Sequence, residues 1–367
     1  MAALRVLVAG GGVIGCSIAY HLQKAGASVV LLERAEIGGE SSGAAAGMLI
    51  APFEDAASRP FQALQNASLA MYLPLIKELR SHSGIDIEYK TCGILRTART
   101  VEHAKALQAL VKRRAVAISG LEWVEGETLR GLEPGISPAV LGAAYSPDDA
   151  NVNSGLLTQA FAVSAERLGA EVHRGVALTG FLGRGQHLRG AGTSAGDFRV
   201  DAVVLAAGPW TESLLRRVSA RVPTPPMRGQ MLAYRSSTVH HAIWGEDGYL
   251  VPKPRGFLFA GATVEDAGFR KRTTASGLAS LQRAAAGMIP ALRHADVVSS
   301  WAGLRPGSPD GLPILGRVPG RENVFVAGGH FRNGILLAPV TGRLMTQLIC
   351  EGRPEIDLRP FRPERFG

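Results

Sequence analysis

Cysteine is scarce in this chain of 367 residues, which contains only Cys16, Cys92 and Cys350. The three residues lie far apart, and no Cys-x-x-Cys pair occurs. This spacing argues against a disulfide framework and against a structural zinc site. We therefore expect a protein of a reducing compartment, the cytoplasm, that binds no metal. Cys16 is interpreted as a packed helix residue.

Long apolar runs are also missing. The first apolar stretch, residues 4–9, is broken at once by three glycines, so no signal peptide is predicted. No later stretch reaches the roughly 18 apolar residues that a membrane span needs. We expect no membrane association.

The net charge of +9 does not form a basic stripe. The 40 Lys and Arg residues are scattered and interleaved with 31 Asp and Glu residues. Nucleic-acid binding normally needs the basic residues to be clustered on one surface. The charge is therefore interpreted as favouring solubility and the attraction of small anions, and no nucleic-acid partner is expected.

The N-terminal region has the pattern of a β-α-β unit. Residues 4–9 are apolar and typical of a strand, residues 13–25 carry apolar side chains at helical spacing, and residues 28–32 are again apolar. Strands that are apolar throughout are typical of a sheet covered on both faces.

The turn between the first strand and the helix matches the dinucleotide fingerprint GxGxxG. Gly10 permits a tight turn, Gly12 lets the backbone approach a pyrophosphate, and Gly15 lets the helix pack close to the strand. Glu33 follows at the end of the second strand, where a carboxylate accepts hydrogen bonds from an adenosine ribose. The alternative is a plain glycine turn with an acidic surface residue.

A segment of small residues, 38–48, follows the second strand. Small side chains leave room for a bulky ligand beside the backbone. Ser41 and Ser42 offer hydroxyl groups to phosphate oxygens, and the end of the segment is suited to pass beside a flat ring. The alternative interpretation is a flexible surface loop.

The remaining pattern predicts two domains built from alternating pieces of the chain. A nucleotide-binding domain is predicted from residues 1–84, 148–222 and 298–367, and a substrate-binding domain from residues 85–147 and 223–297.

Local helices and strands are also predicted inside these domains. A helix is expected over residues 62–81, a strand at 87–89, and a C-terminal helix from about residue 339 to 349.

Several longer segments resemble one family. They read ESSGAAAGM at 40–48, VLAAGPW at 204–210, RGQ at 228–230, WAGLRPG at 301–307 and GHFRNGILLAP at 329–339. Together with the fingerprint they make the chain similar to the D-amino-acid oxidase family of FAD-dependent oxidoreductases, most closely to the glycine oxidases of thiamine biosynthesis. The last two segments are the most specific. The resemblance implies an α/β fold, with a Rossmann-like FAD-binding domain of the glutathione-reductase type and an α+β substrate domain on an antiparallel sheet.

The resemblance also assigns residues to a noncovalently bound FAD. Beside Gly10, Gly12, Gly15 and Glu33, the implied cofactor-binding residues are Val13, Ile14, Arg34, Ser41, Ser42, Ala46, Gly47, Met48, Val176, Ala206, Gly208, Trp210, His330, Phe331, Arg332, Asn333, Gly334, Ile335 and Leu336. Backbone N–H groups near Asn333 are suited to donate to flavin carbonyl oxygens.

For the substrate, an amino acid requires a cation for its carboxylate and an acceptor for its amine. By the resemblance, Arg305 binds the carboxylate bidentately, Tyr249 adds a hydroxyl, and Arg332 and Met48 contact the substrate. No Ser-His-Asp or paired-carboxylate arrangement is evident, and no catalytic acid or base is expected.

The reaction implied is FAD-dependent oxidative deamination of glycine, sarcosine or D-alanine by hydride transfer from the α-carbon to flavin N5. The products are the 2-oxo acid (glyoxylate from glycine), ammonia and, with O₂ as acceptor, H₂O₂. The expected associations are a homotetramer and a hand-off of the glycine imine to thiazole synthase. Two alternatives remain open: a dehydrogenase of the same superfamily using another acceptor or substrate, and an FAD-binding protein without catalysis.

Overall fold

The computed structural model describes residues 3–50, 58–183 and 185–367, and in these ranges it contains nine α-helices and twenty-one β-strands. The helices are α1 (Val13–Lys24), α2 (Ser41–Ala44), α3 (Arg59–Ser83), α4 (Val101–Arg114), α5 (Gly126–Leu132), α6 (Ser154–Arg167), α7 (Thr211–Leu215), α8 (Ala275–Met288) and α9 (Gly334–Cys350). The strands are β1 (Arg5–Ala9), β2 (Ser28–Glu33), β3 (Met48–Leu49), β4 (Lys90–Thr91), β5 (Ile94–Ala98), β6 (Glu122–Val124), β7 (Gly142–Ser146), β8 (Ala150–Asn151), β9 (Glu171–Arg174), β10 (Leu178–Leu182), β11 (Gly190–Thr193), β12 (Gly196–Arg199), β13 (Ala202–Leu205), β14 (Pro226–Arg235), β15 (Ala242–Trp244), β16 (Tyr249–Lys253), β17 (Phe257–Gly261), β18 (Glu265–Asp266), β19 (Val297–Pro306), β20 (Ile314–Arg317) and β21 (Val324–Gly328).

A six-stranded sheet lies at one end of the molecule, in the order β20-β21-β13-β1-β2-β9. All neighbours are parallel except β20 and β21, which are antiparallel. Its central strands are buried on both faces because α1, α3, α6 and α9 cover one side and the β10-β11-β12 sheet covers the other. This explains why β1, β2 and β13 are almost wholly apolar.

A second, nine-stranded sheet forms the other main part of the molecule. Every strand pair in it is antiparallel except β5 with β15. Helices α5 and α8 pack against one apolar cluster of this sheet, and α4 packs against another. The molecule therefore has the mixed α/β fold that the sequence predicts.

One predicted domain boundary differs from the strand pairing. The sequence assigns residues 298–367 to the nucleotide-binding domain, but β19 pairs along its length with β14 in the nine-stranded sheet. The C-terminal part of the chain returns to the six-stranded sheet only after this strand, at β20.

Two local predictions are corrected. Residues 87–89 do not form a strand, because Glu88 has a φ of 55°, which lies outside the extended region; the nearest strand is β4. Helix α9 begins at Gly334 and contains Pro339 in its interior, whereas the sequence places its start at about that proline. The predicted helix over 62–81 is present as α3.

None of the helices in the described ranges is long and apolar enough to cross a membrane.

Candidate active site

A cavity of about 640 Å³ extends from the carboxyl ends of β1, β2 and β13 to the nine-stranded sheet. Every residue that the sequence assigns to cofactor or substrate lines it, except Gly15. A Cβ on Gly15 would stand 1.9 Å from the Gly10 carbonyl oxygen. Gly15 therefore acts through close packing of α1 against the turn, as its position in the fingerprint predicts.

The fingerprint turn has little room for side chains. Gly10 has a φ of 118°, and a Cβ there would lie 2.4 Å from the Ala206 carbonyl oxygen. Gly12 is the N-cap of α1 and supplies no side-chain acceptor to the first helical turn. The positive end of α1 is thus presented to the cavity, which is an arrangement that binds phosphate groups.

Glu33 fixes the turn from the end of β2. One carboxylate oxygen accepts from the Gly11 N–H at 2.8 Å, and the other from the Ala35 N–H at 2.9 Å. The Val176 N–H donates to the Glu33 carbonyl oxygen at 2.9 Å, which explains why Val176 also lines the cavity. Each carboxylate oxygen can accept more than one hydrogen bond, so Glu33 can still bind a ribose hydroxyl.

Arg34 and Trp210 form one wall near this end. The guanidinium carbon lies 3.7 Å from the centre of the Trp210 ring, and Arg34 also pairs with Glu40 at 3.3 Å. Lys271, from the loop after β18, donates to the other Glu40 oxygen at 2.7 Å. The Glu40–Lys271 pair therefore links the segment before α2 to the loop after β18.

The two predicted serines, Ser41 and Ser42, bind different partners. Ser42 Oγ accepts from the Val13 N–H at 2.9 Å, so this hydroxyl stands at the N-terminus of α1. Ser41 Oγ donates to the Leu304 carbonyl oxygen. Trp301 Nε1 donates to the Ala44 carbonyl oxygen at 3.0 Å, and α2 is thereby bound at both ends to β19.

Helix α9 begins beside the cavity and also lacks a side-chain cap, since its N-cap residue Asn333 makes none. Pro339 has no N–H for the Ile335 carbonyl oxygen. Tyr72 of α3 donates its hydroxyl to that oxygen instead, and Ser68 Oγ donates to the Leu336 carbonyl oxygen at 2.6 Å. Helix α3 therefore supports the first turns of α9 in the presence of its proline.

His330 is 3% exposed, and its Nε2 lies 3.1 Å from Thr341 Oγ1. Its Nδ1 is buried and makes no hydrogen bond to the described residues. Burial lowers the pKa of His330 to about 3, so the ring is neutral at ordinary pH. A neutral buried ring with an unused nitrogen at the cavity wall indicates a polar ligand group there.

Arg305 lies at the other end of the cavity, on β19. Its Nη1 donates to the Thr263 carbonyl oxygen at 2.9 Å. A Cβ on Gly229 would stand 2.2 Å from the same nitrogen, so the glycine provides the space that the guanidinium occupies. Burial lowers the pKa of Arg305, which nevertheless remains cationic because a guanidinium does not lose its proton in proteins.

Tyr249 packs beside Arg305. Its hydroxyl donates to Met231 Sδ at 3.3 Å, and a Cβ on Gly261 would lie 2.7 Å from the hydroxyl oxygen. Burial raises the pKa of Tyr249, partly offset by the positive charge of Arg305. The phenol therefore keeps its proton and can donate a hydrogen bond.

Arg332 is exposed at the rim. Its guanidinium carbon lies 5.9 Å from the Trp244 ring and 5.6 Å from the Phe331 ring. The Trp244 ring is in turn 6.1 Å from the Tyr249 ring. Aromatic side chains thus connect Arg332 to the wall that Tyr249 forms.

Sequence reasoning missed the residues that shape this end: Gly229, Gly261, Met231, Trp244 and Thr263. The RGQ segment at 228–230 was the sequence feature that could have pointed to this end of the cavity. Arg228 pairs with Glu265, and the Gln230 side chain bonds Glu265 and the α8 cap residue Thr274, while Gly229 clears the Arg305 site. The segment therefore combines support of the sheet with space for the guanidinium.

Residues 5–348 match the family DAO, described as FAD dependent oxidoreductase. The glycine oxidase of Geobacillus kaustophilus (strain HTA426) is 35% identical over 362 residues, which are 97% of this chain and 95% of that protein. The bifunctional protein ThiO/ThiG of Synechocystis sp. is 33% identical over 370 residues, which are 98% of this chain and 54% of that protein. The crystal structure of glycine oxidase from Geobacillus kaustophilus is similar with a TM-score of 0.93 at 34% identity, covering 98% of each chain.

Proposed function

This chain belongs to the DAO family of FAD-dependent oxidoreductases, and on that premise we propose that it catalyses the oxidative deamination of glycine and other small amines. The products are glyoxylate from glycine, ammonia and, with O₂ as the electron acceptor, H₂O₂. One observation carries the proposal: a single cavity holds the dinucleotide turn at one end and the Arg305–Tyr249 pair at the other.

The residues of the cavity fit FAD. Gly10 permits the tight turn, Gly12 allows close approach of a pyrophosphate, and neither α1 nor α9 supplies a side-chain cap to its own first turn. Glu33 has remaining acceptor capacity for a ribose hydroxyl. The unused Nδ1 of His330 is available to a further polar group of the cofactor. FAD, when bound, supplies the acceptor for the two electrons of the substrate.

The chain's own residues orient the amino acid. Arg305 binds the carboxylate, because a guanidinium has five N–H groups and Thr263 uses only Nη1. On substrate binding, the Tyr249 hydroxyl exchanges Met231 Sδ for the same carboxylate as its acceptor. Met48 and Arg332 border the space where the amine and α-carbon lie. Orientation of the α-hydrogen, rather than proton transfer by a side chain, is the main contribution of the protein to the rate.

The bulky side chains at the Arg305 end of the cavity favour small substrates. Tyr249, Met231 and Trp244 place bulky side chains around the Arg305 site. A hydrophobic pocket discriminates one methylene group by only about 1–3 kcal/mol. Glycine, sarcosine and D-alanine are therefore expected to react well, and D-phenylalanine poorly, in a graded series.

A hand-off of the glycine imine to thiazole synthesis is part of the proposal. It is supported by the match to a bifunctional protein, in which about half of the polypeptide lies outside the matched region. Such a fusion brings a second activity close to the product of the first.

The test is an anaerobic titration of the flavin-loaded protein with glycine, sarcosine, D-alanine and D-phenylalanine, followed at the flavin absorbance near 450 nm. Bleaching by the small amines, with O₂ consumption and H₂O₂ release on admitting air, is the expected result. Bleaching without O₂ consumption would identify a dehydrogenase instead. Absence of bleaching by every amine would contradict the proposed function.

A further inference from the structure

Lys253 is a partly buried cation that the reaction described above does not use. It is the last residue of β16, two positions beyond the fully buried Val251. Its Nζ donates to Asn151 Oδ1 at 2.8 Å and to the Val152 carbonyl oxygen at 2.9 Å. The Phe259 ring lies 5.6 Å away. The two hydrogen-bond acceptors are neutral, so neither cancels the charge of the ammonium group.

The ammonium lies directly behind the cavity wall. Gly47 lines the cavity, and a Cβ built on it would stand 2.0 Å from the Val152 carbonyl oxygen and 3.4 Å from Lys253 Nζ, two groups that do not themselves line the cavity. The Gly47 backbone therefore lies between the charge and the cavity. A partly buried charge is screened less by solvent than an exposed one and acts over several ångströms.

Residues 46–48 are those that we assign to the flat ring of FAD. Two-electron reduction makes the ring more negative, and a fixed positive charge nearby stabilises the reduced form more than the oxidised form. We propose that Lys253 is a positioning residue that acts through the Gly47 backbone and raises the reduction potential of the bound FAD. The inference rests on FAD as cofactor and is independent of which amine is oxidised.

The protonation of Lys253 provides a second test, through the pH dependence of the effect on FAD. Burial lowers the pKa of Lys253 to about 8, although the neighbouring Cys92 and Glu88 act in the opposite direction. The ammonium form dominates below that pH, and the neutral amine dominates above it. The effect on FAD is therefore expected at pH 6.5 and lost as the pH rises past about 8.

The experiment measures the reduction equilibrium of bound FAD against a reference dye, without any amine substrate, in the wild type and in Lys253→Met. At pH 6.5 we expect the equilibrium constant for reduction to fall about tenfold in the variant, which is about 30 mV for a two-electron couple. The difference should shrink above pH 8. If Lys253→Met does not retain FAD, the wild-type potential still tests the inference through an added pH dependence near 8.

Two matched controls separate charge from structure. Lys90→Met removes an equal charge from an exposed side chain on β4, whose Lys90 pairs in register with Asn151. It should leave the equilibrium unchanged. Asn151→Ala removes one anchor of Lys253 but keeps its charge, and should change the equilibrium much less than Lys253→Met. An unchanged equilibrium in Lys253→Met, or an equal fall in Asn151→Ala, would overturn the inference.

Discussion

Two features position Arg305. The Thr263 carbonyl oxygen accepts a hydrogen bond from its guanidinium, and the absence of a side chain on Gly229 leaves room for that group. Its replacement by Ala should leave FAD bound but lower kcat/KM for glycine, because the substrate carboxylate then lacks its charged partner. The fall should correspond to a loss of about 2–5 kcal/mol in transition-state stabilisation. Arg305→Lys should restore only part of the loss, since an ammonium lacks the two-pronged geometry. Steady-state kinetics together with the flavin spectrum provide the measurement.

Amines without a carboxylate are the control for Arg305. Their slow turnover should be nearly the same in the wild type and in both variants. Near-normal oxidation of glycine by Arg305→Ala, with FAD retained, would remove Arg305 from the carboxylate site.

Gly229 offers a test that removes no charged group. Gly229→Ala puts a methyl group 2.2 Å from Arg305 Nη1, so the guanidinium must move. We expect kcat/KM to fall by an amount that corresponds to about 1–3 kcal/mol of transition-state stabilisation, in line with the cost of overpacking. The matched control is Gly131→Ala, where the new methyl group meets nothing within 4 Å. Equal kinetics for the two variants would show that Gly229 does not shape the site.

All but one of the residues that the sequence assigns to cofactor or substrate line the cavity, because motifs such as GxGxxG and GHFRNGILLAP mark strand ends and helix starts. The sequence was insufficient for Gly229 and Gly261. Their importance lies in what a side chain would meet, namely Arg305, Tyr249 and Met231, and those neighbours come from other strands. Only the register of β14 with β19 and β17 places them there.

At the scale of elements, α9 depends on α3. Tyr72 and Ser68 bind the carbonyl oxygens of Ile335 and Leu336, and Ser68 Oγ also accepts weakly from the Val340 N–H at 3.4 Å. The sequence placed the start of α9 near Pro339 because proline is unfavourable inside a helix. It could not reveal that hydroxyl groups 263–272 positions away support that turn.

This dependence predicts a rescue. Tyr72→Phe leaves the Ile335 carbonyl oxygen buried without a donor and should lower the free energy of unfolding by about 1–3 kcal/mol. Pro339→Ala restores an N–H for that oxygen, so the double variant should lose less than the sum of the two single variants. Urea unfolding of all four proteins gives the coupling energy. Strict additivity would contradict the compensation.

At the scale of the whole molecule, His330 makes stability depend on pH. Its folded pKa is about 3, whereas an unfolded histidine titrates near 6.5, so the unfolded chain binds the additional proton as the pH falls between these values. Its contribution to the free energy of unfolding should decrease by about 2 kcal/mol between pH 7 and pH 5.

Chemical unfolding at the two pH values tests this. The loss between pH 7 and pH 5 should be about 2 kcal/mol smaller in His330→Asn than in the wild type. The exposed His187, changed to Asn, serves as the comparison and should show the wild-type loss. Identical pH dependence in all three proteins would show that His330 does not remain neutral in the folded chain.

The strand order of the six-stranded sheet has a consequence for synthesis of the protein. β1 lies beside β13, and β13 beside β21, so the part of the sheet next to β1 forms from strands made about 200 and 320 residues later. The cofactor cavity also needs the start of α9. A nascent chain on the ribosome therefore carries the GxGxxG turn for most of its synthesis without a place to bind FAD. Because such distant pairing is slow, cofactor capture is a late event in the life of each new molecule.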